Sequence, residues 1–344
     1  MDEFTPEALL GLIEVMPPVP DFIQRTFYTQ TDFIPDDKVR VDIVKGGRTV
    51  APYVNPRLPA PQLGQDGYST HVLTIPLVKL KDTISDADGL TRLPGEVIMG
   101  SGRNPVDRTM ELVAKQLRKQ RDNIYRSFEL QATKSLLDGK CSIVGDGVNY
   151  DVDYQRDADN TIVLTGGDTW DNAGSKPITK LQTIGGDILL AKSGLFPDIV
   201  VGNRDAINLL LETTEFDKEV NKTGRNSAEF KWVQDSTLGV VFVTEVRGMK
   251  FFIYNDTYTD AAGNPQPFIP SNTVLLGSSR AECTRNFGVL FHRMAENAPP
   301  TAAMVELMPE VWQERDPGGQ VVRSQSRPLM VPTRVDAFAK VTVK

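Results

Sequence analysis

The amino-acid sequence predicts an α+β protein, and three observations carry that expectation. The first is a 34-residue stretch, Pro105 to Asp138, with no Gly or Pro after its first residue and with apolar residues at three- and four-residue steps, the period of a helix face. The second is a set of short segments, VNYDVDYQ and RVDAFAKVTVK among them, in which apolar and polar residues alternate as in half-buried strands. The third is the stretch from about 180 to 300, where strand-like and helix-like segments intermix, as an all-α or all-β chain would not show.

The long helix is the organising element. Val106, Met110, Val113, Leu117, Ile124, Phe128, Ala132 and Leu136 form its apolar stripe. Asn104 is placed to cap the first turn, Pro105 suits position N1, and Gly139 suits a left-handed C-cap. At about 1.5 Å per residue the helix extends about 50 Å. From Arg103 to Asp138 there are eight Lys or Arg and five Asp or Glu, so the segment is net positive inside a chain of net charge −7. The basic residues are interleaved with Asp107, Glu111, Asp122 and Glu129, which disfavours a DNA-reading helix. The expected arrangement is a core helix with a solvated charged face, and Arg118 and Arg126 on that face are candidates for contact with a partner.

Composition sets outer bounds. At 344 residues, 40% apolar and 24% charged, the chain has room for two domains or one elaborated domain. No apolar run reaches the roughly 18 residues of a membrane span, and the acidic opening MDEFTPEALLGLIEVMPPVP lacks the basic region of a signal peptide. Synthesis in a cytosol, with no membrane partner, is the expectation. A pI near 5.1 argues against a surface that wraps nucleic acid.

In chain order, residues 5–16 read as a short amphipathic helix stopped by MPPVPD. A second short segment, Phe22 to Phe27, precedes a strand in which Val39, Val41 and Ile43 alternate with Arg40 and Asp42. Prolines at 52, 56, 59 and 61 exclude an interior sheet element, so residues 1–61 read as an extended arm with small anchors that buries too little to order itself and must lie on its own body or on a neighbour. Residues 62–100 read as a two-stranded ribbon without helix, its strand 70–81 broken by Pro76. After the long helix come a strand at VNYDVDYQ, a polar Gly-rich crossing at 157–177, a helix at 179–192, a buried strand at 198–202, and a helix from Arg204 to Thr213 led by Asn203. Strands follow at 240–246, 250–255, 273–277 and 288–293, with YTDAAGNPQPFIP as a loop. The chain closes on a strand with Val335, Ala337, Ala339, Val341 and Val343 on one side.

Chemistry is sparse. Cys141 and Cys283 are the only cysteines and His71 and His292 the only histidines. A thiol nucleophile paired with His292 is conceivable, but no Cys-His-Asn pattern supports it, and a small buried hydrophobe is the ordinary role of such a cysteine. The acidic pieces at 36–38, 86–89 and 157–160 lack the alternating ligands of a calcium loop. GNRDA lacks the glycine spacing of a dinucleotide site, and no phosphate loop, HExxH or GxSxG occurs. No catalytic, cofactor-binding or metal-binding residue is assigned.

The order of these pieces resembles the major capsid protein family of lambda-like tailed phages (phage major capsid protein E) over essentially the whole chain. The resemblance is carried by TPEALLGLIE, DKVRVDIVKGGRTVAPYVNP, LTRLPGE, the segment from GSGRNPVDRTMELV through SLLDGK and NYDVDY to TGGDTW, SNTVLLG, and RSQSRPLMVPTRVDAFAKVTV. It implies an HK97-like phage capsid fold with an N-terminal arm (1–61), an extended loop (62–100), a peripheral domain with the spine helix (101–178), an axial domain (179–304) and a return to the peripheral domain (305–344). It also implies a shell of hexamers and pentamers of this chain, assembled in the host cytoplasm around a separate scaffold protein. That shell would carry a portal protein at one vertex, have a decoration protein at local threefolds as an optional further partner, and enclose packaged DNA without sequence-specific binding. Lys79 and Lys81 in the ribbon read as solvated edge guards rather than cross-linking residues. An encapsulin-type compartment and, in another class, a soluble α/β cysteine hydrolase are the competing readings.

Overall fold

A computed structural model describes residues 19–44, 68–90, 105–145, 147–172, 174–222, 233–235, 239–260, 262–292, 299, 301–315 and 318–344. The expectations placed on Asn104 and on residues 5–16 lie outside these. The long helix runs from Pro105 to Asp138. It ends on Gly139 at φ +66°, where a Cβ would lie 2.5 Å from Cβ of Arg156, so both conformation and space require glycine. Nη1 of Arg156 donates to the Leu136 carbonyl at 2.7 Å, satisfying one acceptor that the helix leaves open.

Burial along this helix changes character midway. Val113, Leu117, Ile124, Phe128, Ala132 and Leu136 are buried, as the stripe requires. Glu111, Lys115, Arg118, Lys119 and Asn123 form an exposed face. From Phe128 to Leu137, however, only Leu130 and Lys134 escape full burial, and Glu129, Gln131, Thr133 and Ser135 are inside. The solvated charged face therefore belongs to the N-terminal part alone. The later polar residues are short or hydrogen-bonded, and that allows them to be buried.

Different segments cover the two parts. Val113 and Leu117 pack with Ile84 and Val322 of a three-stranded sheet ordered Met308–Arg315, Gly318–Ser326, Val78–Ser85, and Nε2 of Gln120 donates to the Val322 carbonyl at 3.1 Å. Around the later turns lie the helix Phe22–Phe27, the strand Pro328–Val331 and a seven-stranded sheet. That sheet is ordered Thr161–Val163, Ala339–Thr342, Thr273–Gly277, Ile199–Gly202, Met249–Tyr254, Val240–Val246, Val233–Asp235. Its two faces follow the period of two: Val201, Leu275 and Tyr254 face the core shared with the long helix. Val200, Leu276, Phe251 and Ile253 face the opposite core, built with the helix that starts at Pro177 and with Arg204–Leu211. The first of these two helices widens to π geometry over Ile184–Leu190, where Gly185 passes Pro197 too closely for a Cβ. Asn203 caps the second, its Oδ1 accepting from the Asp205 amide at 3.1 Å.

Several expectations are refined or corrected. Of the two supports open to the arm, its own body receives residues 22–28: Phe22, Ile23, Phe27 and Tyr28 are buried, and Gln30–Ile34 pairs in parallel with Thr284–Gly288. The ribbon is not self-paired within 62–100. Tyr68–Thr74 pairs with Lys38–Val44, whereas Val78–Ser85 joins Gly318–Ser326, because Pro76 separates the two strands and redirects the chain. A short helix, Asp86–Leu90, lies where none was expected. The loop after Tyr254 holds a small hairpin, Thr257–Thr259 with Pro265–Pro267. The strand expected at 288–293 is divided into Thr284–Gly288 and Leu290–His292. The polar crossing contributes the strand Thr161–Val163, which flanks the C-terminal strand. Within 305–344 the strands Met308–Arg315 and Gly318–Ser326 lie beside the first half of the long helix, and the C-terminal strand lies elsewhere. It inserts into the seven-stranded sheet, where Ala339 and Val341 are fully buried.

Candidate functional site

The sequence-level candidates for chemistry are dispersed by the fold. Cys141 and Cys283 are free and buried. Burial pushes their thiols up to about 11 and about 12, opposite to the lowered pKa of an activated nucleophile. His292 is buried, and among the described residues neither ring nitrogen has a hydrogen-bond partner. His71 lies on the ribbon, its Nδ1 3.4 Å from Nε2 of Gln155. The acidic pieces cap turns: Asp36 accepts from the Asp37 amide, Asp88 from Ser85 and Asp157 from Asp159. Asp157 and Asp159 both pair with Lys192 at 2.9 Å. Among the described residues no three His, Cys, Asp or Glu are grouped to hold a metal ion, and no helix is long and apolar enough to cross a membrane.

What the fold presents instead is surface. The ribbon keeps an unbroken register from Lys38↔Thr74 to Val44↔Tyr68, which spans about 20 Å at about 3.3 Å per residue. Its base is anchored: Val39, Leu73 and Ile75 pack with Cys141, Val152, Tyr154 and Leu329, and Tyr150 donates to the Thr74 carbonyl. Val72 on the ribbon is 56% exposed. On the outer face of the three-stranded sheet, Trp312 lies 5.8 Å from Nζ of Lys81 and 5.3 Å from Cζ of Arg323, within cation–π range. Nε of Arg323 donates to Glu310 at 2.7 Å. Lys79 and Lys81 stand exposed on Val78–Ser85, which among the described residues is an edge strand of that sheet.

The densest polar junction is internal. Glu129, fully buried on the long helix, receives the Ile23 amide on Oε1 at 2.8 Å, the Gln24 amide on Oε2 at 3.2 Å, Nε2 of Gln24 on Oε2 at 3.0 Å, and the Tyr254 hydroxyl on Oε1 at 3.1 Å. Two of these donors are first-turn amides of Phe22–Phe27 that have no partner within their own helix. Burial pushes the carboxyl up to about 7, opposed by the four donors. Ser135 meets the Tyr28 hydroxyl at 2.5 Å, and Gln131 accepts the Met330 amide at 3.2 Å. Sequence reasoning placed Glu129 among interleaved surface acids and missed this role. A signal was present: after Arg126 the segment SFELQATKSLL exchanges long cations for Gln, Thr and Ser, as a helix entering protein on every side requires.

The described residues thus form a two-stranded ribbon and a long helix set between a three-stranded and a seven-stranded sheet, an architecture found in known phage proteins. The crystal structure of a prophage capsid protein from E. coli CFT073 superposes with a TM-score of 0.70 over 98% of this chain and 99% of that one, at 16% identity. A phage-related protein from Bordetella bronchiseptica RB50 does so at 0.54, covering 98% and 96%. The family model described as phage major capsid protein E matches residues 5–343, and the chain belongs to that family. In sequence it is 26% identical to the P21 prophage-derived major head protein of Escherichia coli O6:H1 strain CFT073, with both chains covered in full. It is 25% identical to the major capsid protein of Escherichia phage lambda, with 99% of each covered.

Proposed function

We propose that this chain is the subunit of a tailed-phage head. Copies associate as hexamers and pentamers into a closed icosahedral shell that encloses double-stranded DNA. Assembly takes place in the host cytoplasm around a scaffold protein and a portal, and a decoration protein is a further candidate partner at local threefolds. The observation that carries the reading is the family match across residues 5–343. Val72 on the ribbon and Trp312 on the outer sheet face support it as apolar side chains that a lone subunit leaves exposed. On this reading the extended loop is built on Lys38–Val44 and Tyr68–Thr74 rather than on 62–100. The peripheral domain comprises the long helix with its three-stranded sheet, and the axial domain is built around the seven-stranded sheet. The net charge of −7 disfavours adhesion of the enclosed genome to the subunits.

The test is expression of the chain alone and with a candidate scaffold, followed by size-exclusion chromatography and negative-stain microscopy. Closed particles, tubes or sheets of megadalton size are expected. A small oligomer under every condition, scaffold included, would refute the proposal. Particles loaded with an enzyme and free of DNA in the native host would favour a compartment shell.

A further inference from the structure

We propose that Glu129 is a protonation-controlled latch that fastens the segment 21–28 and the strand Met249–Tyr254 to the long helix. This concerns the folded subunit and stands or falls independently of the shell reading. The geometry is that of an acceptor with four donors and no compensating cation. Oε1 takes the Ile23 amide and the Tyr254 hydroxyl, and Oε2 takes both nitrogens of Gln24. Among the described residues no Lys, Arg or His forms an ion pair with it. The titratable group facing it from the neighbouring strand is Tyr254, whose phenol is itself raised by burial, with Glu129, Asp256 and Asp21 adding negative field. On its own helix, Arg126 and Lys134 make no ion pair with it.

Of the four donors only the Tyr254 hydroxyl can also accept. A proton on Glu129 therefore sits on Oε1 and reverses that one bond, while the three bonds to Ile23 and Gln24 persist. Undocking residues 21–28 exposes the carboxyl to water and returns it to its ordinary acidity, so the open form holds its proton less tightly than the closed form. By linkage, alkaline conditions favour the open form and acid tightens the latch. With limits near 4.5 open and about 7 closed, the opening constant rises about seventyfold between pH 5 and pH 8.

The experiment is amide hydrogen exchange on the full-length chain, followed in peptides covering residues 19–29 and corrected for intrinsic exchange. The oligomeric state is checked by size-exclusion at each pH. Protection of these peptides should fall by about that factor from pH 5 to pH 8 in the native sequence and stay flat in Glu129→Gln. Tyr254→Phe removes a donor to the ionised form and should move the midpoint to higher pH. A flat native profile, an unchanged slope in Glu129→Gln, or a Tyr254→Phe midpoint that is unmoved or lower would overturn the proposal. Should Glu129→Gln fail to fold, the native and Tyr254→Phe profiles decide it alone.

Discussion

Phe128→Ala against Arg118→Glu tests the account of the long helix. Phe128 has no exposed surface; its ring lies 5.2 Å from that of Tyr125 and 5.6 Å from that of Phe287, and it belongs to the core shared by the helix, the segment 22–28 and one face of the seven-stranded sheet. Truncating such a ring costs about 3–5 kcal/mol, because the elements around it cannot all move in to fill the space. Against a typical stability of about 5–15 kcal/mol that is a large fraction. With a urea slope of about 3 kcal/mol/M, the unfolding midpoint should fall by about 1–1.7 M. Arg118 is exposed on the N-terminal part, and its reversal should move subunit stability by no more than about 0.5 kcal/mol while altering shell assembly or maturation. Urea melts of the two soluble subunits, followed by tryptophan fluorescence, give the comparison. Equal losses would mean that the helix is buried along its whole length and would refute the division at mid-helix.

Removal of residues 1–28 should yield insoluble or molten chain by circular dichroism and melting, since Phe22, Ile23, Phe27 and Tyr28 leave the core; a soluble body with native melting would show that segment to be a detachable arm. Both thiols should resist a water-soluble thiol reagent at pH 7.5 and react stoichiometrically after denaturation, because burial keeps each protonated; rapid native labelling of either would contradict its placement. Lys79→Glu together with Lys81→Glu should leave subunit melting within about 1 kcal/mol, as exposed charges contribute little, but shift particle yield in negative stain; unchanged particles would remove that strand from the assembly surface. For Glu129 the raised pKa means that the folded state holds the proton more tightly than the unfolded state. Its contribution therefore falls as pH rises from about 4.5 to about 7 and is level above that. The difference between native and Glu129→Gln melts should change by about 3 kcal/mol across the window; no change would place Glu129 in contact with water.

Legibility followed locality. The helix bounds, its stripe, its glycine cap, the Asn203 cap and the strand at 273–277 all follow from residues within a turn or a few positions of one another, and they were readable. Pairing was not: the sequence around Pro76 shows where a strand breaks but not that its halves join Lys38–Val44 and Gly318–Ser326. Nor does alternation in RVDAFAKVTV name the partner Thr273–Gly277. Burial of Phe22 and Ile23 was hidden by a six-residue helix too short to show a period, and burial of Glu129 by its four donors, which lie more than 100 residues away along the chain. At the level of function, what the sequence made legible was the family resemblance, carried by motifs spread along the chain.

The same long-range pairing bears on how such a subunit stays available for association. The later turns of the long helix are closed by contacts from residues 22–28, 254 and 330, so that end forms only when the beginning, middle and end of the chain meet; elements of high sequence separation form late and cooperatively. The earlier turns have a covering sheet on one side and an exposed charged face on the other, and the ribbon is anchored at its base through Val39, Leu73 and Ile75. Burial is thus most complete around Phe128, while the exposed side chains around Trp312 and Arg118 contribute little to the core. Changes on those surfaces can alter association without unfolding the body, and changes at the helix end cannot.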